Sequence, residues 1–536
     1  MNQENSMKMY FLRSNVVAEP LINSWYAWSF LVYPPTFARV TKNLHLNVLR
    51  SYLKAPKLHE TAIKNRALRG GLYVEHQGTI DQIEELVAST ESYLSKYIQL
   101  SEDIDNLNQL IDNDALGESL NNLYSKLPES LRGTVELTYD LRNNPNFRFI
   151  EPYFYKSHWY DESIQSIRLS KQEGDHRPFV LSSPRLASDN SISLKAPFRN
   201  KKLDVLFCSR YQPISLDEIK EIAEESQLNS EEFDKFLGFF TTQKFDQPVQ
   251  PVIEDIRVDF YGHATVLLQN RECSVLTDPI ISYDHMKDGR LSFKDLPEKI
   301  DYVIITHNHQ DHVMIETLLQ LRNRIGTVVV PRSSNGTLQD MSLKLMLQAI
   351  GFNSVIDISE LDSVQIPGGF IKGIPFLGEH GDLAIQSKLA FVVELGNYRS
   401  MFAADSNNID PVLYEKLADE IGELDDLFVG MECVGAPMTW LYGSLYTKKL
   451  ERKFDHSRRL DGSNSERALT LVETLKPRRV SIYAMGFEPW LTFISSIEFS
   501  EDNEAVVECR TLEDMLEKSD IQVDSFQLLL GTGNLR

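Results

Sequence analysis

Short apolar runs dominate the chain after residue 255. They are RVDFYGHATVLL (257–268), CSVLTDP (273–279), YVIIT (302–306), GTVVVP (326–331), LAFVVEL (389–395), SMFAAD (400–405), LFVGME (427–432) and VSIYAMG (480–486). Their length and β-branched content predict strands. Between them stand stretches with apolar residues at three- and four-residue spacing: IETLLQLRNRI (315–325), LKLMLQAI (343–350), PVLYEKLADEI (411–421) and ERALTLVETLK (466–476). These predict helices. Many strands with interspersed helices indicate a layered domain of the α+β class. The pattern before residue 245 is different. IDQIEELVASTESYLSKYI predicts one helix over 80–98, and two more follow at 215–228 and 229–240. Ser215 and either Asn229 or Ser230 are their N-caps. The aromatic stretch WYAWSFLVYPPTF (25–37) reads as core, with a substrate channel or a dimer contact as alternatives. FDQPVQPVIED (245–255) carries Pro248 and Pro251 among polar residues and reads as a linker. The expected organisation is an N-terminal domain over 1–245, a linker over 246–254 and a second domain over 255–536.

Composition narrows the functional classes. The chain has 536 residues and a formal net charge of −22, which disfavours nonspecific binding to nucleic acid or to anionic membranes. Its four cysteines, Cys208, Cys273, Cys433 and Cys509, form no CxxC pair and suggest no disulfide framework. No apolar run is long enough to span a bilayer, and the N-terminus lacks a signal-type apolar core. A cytoplasmic protein is the expectation.

The chemistry concentrates in Ile304–Val313, IITHNHQDHV. Three histidines and an aspartate follow an apolar strand and precede a helix, so they sit on a turn where side chains can converge. His307 and His309, two apart in extended backbone, project to the same side. Asp311 and His312 stand at the helix entry. Imidazoles and carboxylates in this pattern are metal ligands.

HxHxDH behind a strand resembles the metallo-β-lactamase superfamily, an αββα sandwich with a two-metal site. GHAT (262–265), Asp278 in LTDP and Asp405 in FAADS fit the same pattern. The resemblance implies that His307 and His309 share one metal with a later residue. Asp311 and His312 hold the other, and Asp405 touches both. Two departures stand out. The late-strand histidine expected for the first metal falls in PFLGEHGDL (375–383), which offers both Glu379 and His380. The last expected imidazole is replaced by Met485, and no histidine occurs after His456. Extra carboxylates and open coordination positions suit iron or manganese better than zinc, and point from hydrolysis towards oxygen activation.

GEHGDL, FAADS, the chain length and the helical first half together resemble the di-iron β-hydroxylases of nonribosomal peptide and antibiotic biosynthesis, of the kind that acts in chloramphenicol formation. That resemblance implies two iron ions held by His307, His309, Asp311, His312, Glu379 and Asp405, with dioxygen as co-substrate. It also implies an external electron donor delivered by a separate reductase, a substrate aminoacyl group on a carrier (thiolation) domain, a homodimer, and a site partly covered by the N-terminal domain. Glu432 is a candidate catalytic residue facing the site, or a solvated or capping carboxylate. His456, inside the basic run Lys448–Arg459, is a further candidate, as a ligand or beside the substrate. His263 is either an outer partner of the site or a core histidine. His380 either orients Glu379 or takes its place as ligand. The competing readings are a two-zinc hydrolase of thioesters, esters, amides or phosphoesters, and a degenerate metal fold used as a binding scaffold.

Overall fold

The computed structural model describes residues 8–65, 68–243, 255–284, 289–334 and 336–536. The expected linker, 246–254, lies outside the described residues.

After residue 255 the chain builds two seven-stranded sheets. The first has the order Val355–Ile358, Ile325–Pro331, Ile300–Ile304, Ser274–Thr277, Thr265–Gln269, Arg257–Gly262, Gly533–Asn534. The second has the order Ser363–Ile366, Gly369–Ile374, Ala390–Leu395, Tyr398–Phe402, Asp426–Gly430, Arg479–Tyr483, Ser525–Leu528. Period-two side-chain alternation divides each strand between two cores. Phe391 and Val393 join Phe402, Phe428, Val275, Ile304 and Val329 between the sheets. Val392, Leu427 and Val429 point the other way, onto the helices Pro411–Ile421, Ser465–Leu475 and Glu504–Lys518. Leu276, Val303, Val328 and Val330 point outward from the first sheet, onto Ile315–Leu321 and Leu343–Ala349. This is the αββα sandwich that the sequence led us to expect.

The N-terminal half is mixed. A four-stranded antiparallel sheet has the order Trp25–Tyr26, Val16–Ile22, Gln165–Lys171, Ser191–Lys195. Helix Pro34–Val40 continues through a π-helical turn, Thr41–His45, into Leu46–Lys54. The single helix expected over 80–98 is two, Ile80–Tyr93 and Ser95–Asp114. A capping box of Thr79 and Gln82 opens the first. The break at Leu94 lets Ile83 and Leu86 on one helix, and Tyr97, Leu100 and Ile104 on the next, reach the same core. Ser215 and Asn229 cap the two later helices, each in a capping box. Leu12, Phe30, Tyr33, Leu100 and Phe198 of this half share one continuous apolar core with Ile300, Leu318 and Met346 of the first sheet and its helices. The N-terminal half is thus packed directly on the layer that carries the histidine loop. Among the described residues, no helix is long and apolar enough to cross a membrane.

Candidate metal centre

Strand Ile300–Ile304 delivers the chain to Thr306–His312, and helix Ile315–Leu321 takes it away. The loop between is fixed by one buried carboxylate. Asp278 accepts hydrogen bonds from the Thr306 amide at 2.7 Å, the Thr306 hydroxyl at 2.6 Å and His312 Nδ1–H at 2.8 Å. Its own amide donates to the Ile304 carbonyl at 2.9 Å. Because His312 spends Nδ1 on Asp278, its Nε2 lone pair is turned inward, 3.2 Å from Asp405 Oδ2.

The other ligand candidates converge on the same space. His307 Nε2 lies 3.6 Å from Glu379 Oε2 and 3.9 Å from Asp405 Oδ2. His309 Nδ1 lies 2.5 Å from Glu379 Oε1. Glu379 follows strand Gly369–Ile374 with φ +65°, a left-handed turn that swings its side chain under the histidine loop. Asp405 stands just past strand Tyr398–Phe402. Candidate ligand atoms come together in three groups, each within 4.8 Å: His307, His309 and Glu379; His307, His312 and Asp405; His263, Asp311 and His312. All six expected ligands are therefore brought to one place.

The donor set fits a pair of cations. His307 Nε2, Glu379 Oε2 and Asp405 Oδ1 are buried with no hydrogen-bond partner. Buried polar atoms are normally satisfied, so several unsatisfied lone pairs converging on one space describe a cation site. Three carboxylates among the imidazoles favour iron or manganese over a zinc pair. Burial alone would raise the Glu379 carboxyl, but His309 and His380 beside it bring it down to about 2, so it is ionised.

The flanking candidates resolve differently. His380 is buried with its ring stacked on His309, centroids 4.5 Å apart. Its Nδ1 is hydrogen-bonded to the Gly378 carbonyl at 3.3 Å and lies 2.9 Å from Glu379 Oε2, so it stands directly beside that carboxylate. His263 belongs to the site rather than to the core alone. It accepts the Gly486 amide at Nδ1, 3.2 Å, which leaves the proton on Nε2, 3.6 Å from Asp311 Oδ2. In that tautomer it faces Asp311 without a hydrogen bond and offers no lone pair to a metal. Glu432 follows strand Asp426–Gly430, lines the cavity and accepts the Gly435 amide at 2.6 Å; burial pushes its carboxyl up to about 7. His456 does not join the site. It is exposed on helix Arg452–Ser457 and lines neither cavity described here, because the basic run around it turns that short helix towards solvent.

The metal cavity has a volume of about 110 Å³, and Leu181, Trp440, Leu441, Leu460, Ile494 and Met485 form its apolar walls. Met485 stands where an imidazole was expected, and its sulfur accepts the Met431 amide at 3.2 Å. A second cavity of about 560 Å³ shares Glu432, Ala436, Trp440, Ser495 and Ile497 with the first and has Arg69 and Arg459 in its walls. Two contributors carried no sequence signal. Leu181 comes from the N-terminal half. Tyr442 places its hydroxyl 3.0 Å from His309 Nε2.

The chain is similar to known proteins over nearly its whole length. Residues 11–243 match the profile of the diiron non-heme beta-hydroxylase N-terminal domain, and residues 257–435 match the beta-lactamase superfamily domain. The 4-amino-L-phenylalanyl-(CmlP-peptidyl-carrier-protein) 3-hydroxylase of Streptomyces venezuelae is 37% identical over 508 residues, 93% of this chain and 95% of that protein. The crystal structure of CmlA, a diiron beta-hydroxylase from Streptomyces venezuelae, superposes with a TM-score of 0.91 at 35% identity, covering 99% of both chains. A UPF0173 metal-dependent hydrolase of Christiangramia forsetii is 36% identical over only 59 residues, 11% of this chain and 25% of that protein. Likeness over nearly the whole length places the chain in the family of di-iron non-heme β-hydroxylases.

Proposed function

We infer that this protein is a di-iron, dioxygen-dependent monooxygenase that hydroxylates the β-carbon of an amino acid tethered to a peptidyl-carrier domain. The observation that carries the reading is the convergence of His307, His309, Asp311, His312, Glu379 and Asp405 in a chain related throughout its length to a hydroxylase of that class. In our assignment His307, His309 and Glu379 would hold one iron and Asp311 and His312 the other, with Asp405 facing both groups of ligands. Bound there, two iron ions supply the redox chemistry that inserts oxygen into a C–H bond. The overall reaction consumes dioxygen, two electrons and two protons. One oxygen atom forms the C–OH bond and the other leaves as water.

The chain's own residues do the rest. Asp278 holds the ligand His312 in orientation, and His380 stands beside Glu379. Leu181, Trp440, Leu441 and Ile494 exclude water and grip the aminoacyl side chain. Glu432, at the junction of the two cavities, faces the substrate's polar end, and the larger cavity takes the arm on which the carrier presents it. The N-terminal half acts as a cover: a side chain at Gly70 would run into the Trp440 ring, so this segment closes directly on the cavity wall. In the basic run, Lys448 pairs with Asp112, Lys453 with Glu451, and Arg458 and Arg459 donate to backbone carbonyls. A separate reductase, a homodimer and a cytoplasmic location complete the proposal.

The test is oxygen uptake by the reduced, iron-loaded protein. Consumption with an aminoacyl-loaded carrier, but not with the free amino acid or the empty carrier, is the expected result. Equal consumption with the free amino acid would refute the carrier requirement.

A further inference from the structure

We propose that Tyr442 is a positioning residue for the metal centre, and that the N-terminal half sets the orientation of His309 through it. This rests on the assignment of His309 as a ligand.

The geometry gives His309 two different neighbours. Its Nδ1 faces Glu379 Oε1 at 2.5 Å, on the side where the candidate ligands converge. Its Nε2 faces the Tyr442 hydroxyl at 3.0 Å. A histidine that ligates through Nδ1 must keep its proton on Nε2, so the Tyr442 oxygen accepts that proton's hydrogen bond. The contact fixes both the tautomer and the ring plane. Outer partners of this kind hold ligating histidines in many metal sites. Both residues are buried, so without Tyr442 the Nε2–H would lose its partner in a place where that is costly.

Tyr442 in turn is held from the other half of the molecule. It ends a single helical turn, Thr439–Tyr442, followed by a 3₁₀ turn, Gly443–Leu445. Phe30 packs on its ring with centroids 6.0 Å apart. Asn43, on the π-helical turn, donates to the Ser444 carbonyl at 2.8 Å. Arg39 donates to the Tyr446 carbonyl at 3.0 Å. Arg39 is itself buried and pinned by Asp105 at 2.5 Å and the Ser101 carbonyl at 3.2 Å. The helix that contains the π-turn therefore grips the segment at two points just after Tyr442.

The experiment is a cobalt(II) titration of the full-length apoprotein, read by calorimetry and by the visible ligand-field bands, so it does not depend on hydroxylase activity. His309→Ala identifies the binding event that needs this ligand and sets the scale of its loss. Tyr442→Phe keeps the ring and removes only the oxygen. It is expected to weaken that same event by about ten- to a hundredfold and to shift its bands, leaving the other event unchanged. Asn43→Ala, which frees the segment without entering the cavity, is expected to weaken the same event by a smaller factor, and serves where Tyr442→Phe folds poorly. Unchanged affinity at both events, or an equal loss at both, would overturn the proposal. If His309→Ala itself left both events intact, the ligand assignment would fail and the proposal with it; if only the Tyr442 and Asn43 variants were neutral, the proposal alone would fail.

Discussion

Asp405→Asn will leave the protein folded but nearly inactive. The Asp405 carboxylate reaches both halves of the centre: Oδ2 lies 3.2 Å from His312 Nε2 and 3.9 Å from His307 Nε2, and Oδ1 is buried with no protein partner. Among the described residues, no other carboxylate groups with both His307 and His312 in this way. An amide at this position removes one negative charge, and its nitrogen does not coordinate. Two cations of like charge held close together need the shared anion to offset their repulsion. The expected outcome is a fall from two irons per chain to about one or fewer. Carrier-dependent hydroxylation should drop by about a thousandfold or more, since groups that act as a unit fail as a unit. Far-ultraviolet circular dichroism should be unchanged, because the side chain faces the cavity rather than the core. Two irons per chain together with more than a tenth of the activity would count against the assigned role.

Arg177→Met is expected to produce the largest loss of stability. Arg177 Nη2 lies 2.8 Å from Glu19 Oε1 and 2.6 Å from Glu316 Oε2, and its guanidinium sits 3.7 Å above the Phe493 ring. Arg185 and Arg168 complete the pairing of Glu19 at 2.8 and 3.0 Å, and the Tyr283 hydroxyl donates to Glu316 at 2.7 Å. Glu19 and Glu316 are each 2% exposed. Removing Arg177 takes the ion-pair partner from buried Glu316 and one of three from Glu19, and breaking a buried pair in this way costs about 3–5 kcal/mol. The network joins strand Val16–Ile22 to the helix that begins just after His312, so its loss also loosens the metal loop.

The pH dependence has a definite sign. Burial alone would raise the Glu19 carboxyl, but Arg185, Arg177 and Arg168 hold it well below the usual carboxylate range. A folded-state pKa below the unfolded one contributes stability above the unfolded value, 4.5, and loses it as pH falls towards the folded value. The gap between wild type and Arg177→Met in chemical denaturation should therefore be full at pH 7 and narrow below about pH 4. A gap under about 1 kcal/mol at pH 7, or one that widens in acid, would contradict this account.

What could be read from the sequence was local. HxHxDH was legible because a strand–loop–helix pattern surrounds it, and the loop is where the structure places the site. The strands were legible as continuous apolar runs, since residues such as Phe391, Val392 and Val393 face apolar surroundings on both sides, while their arrangement as a sandwich came from the resemblance. Glu379 was separable from His380 by resemblance and by the preference of iron or manganese for carboxylates; its distances to His307 and His309 add a geometric reason. Contacts that close over hundreds of residues were not legible. Tyr442 meets His309 across 133 positions, and Leu181 reaches the cavity from the other half. The turn at Leu94 carries neither Gly nor Pro and follows from where the core lies. His263 stayed open between an outer partner of the site and a core histidine because its neighbours, the Gly486 amide and Asp311, are distant in the chain. His456 attracted attention because a late histidine was wanted, but its neighbours are charged and the helix faces outward.

The source of the oxygen atom tests the central claim most directly. With the iron-loaded protein, a reductant and an aminoacyl-loaded carrier under labelled dioxygen, mass spectrometry of the carrier-bound product should show one labelled oxygen on the β-carbon, with none taken from labelled water. Label entering from water alone, with the aminoacyl group cleaved from the carrier and no need for reductant, would identify a hydrolase and contradict the oxidative account.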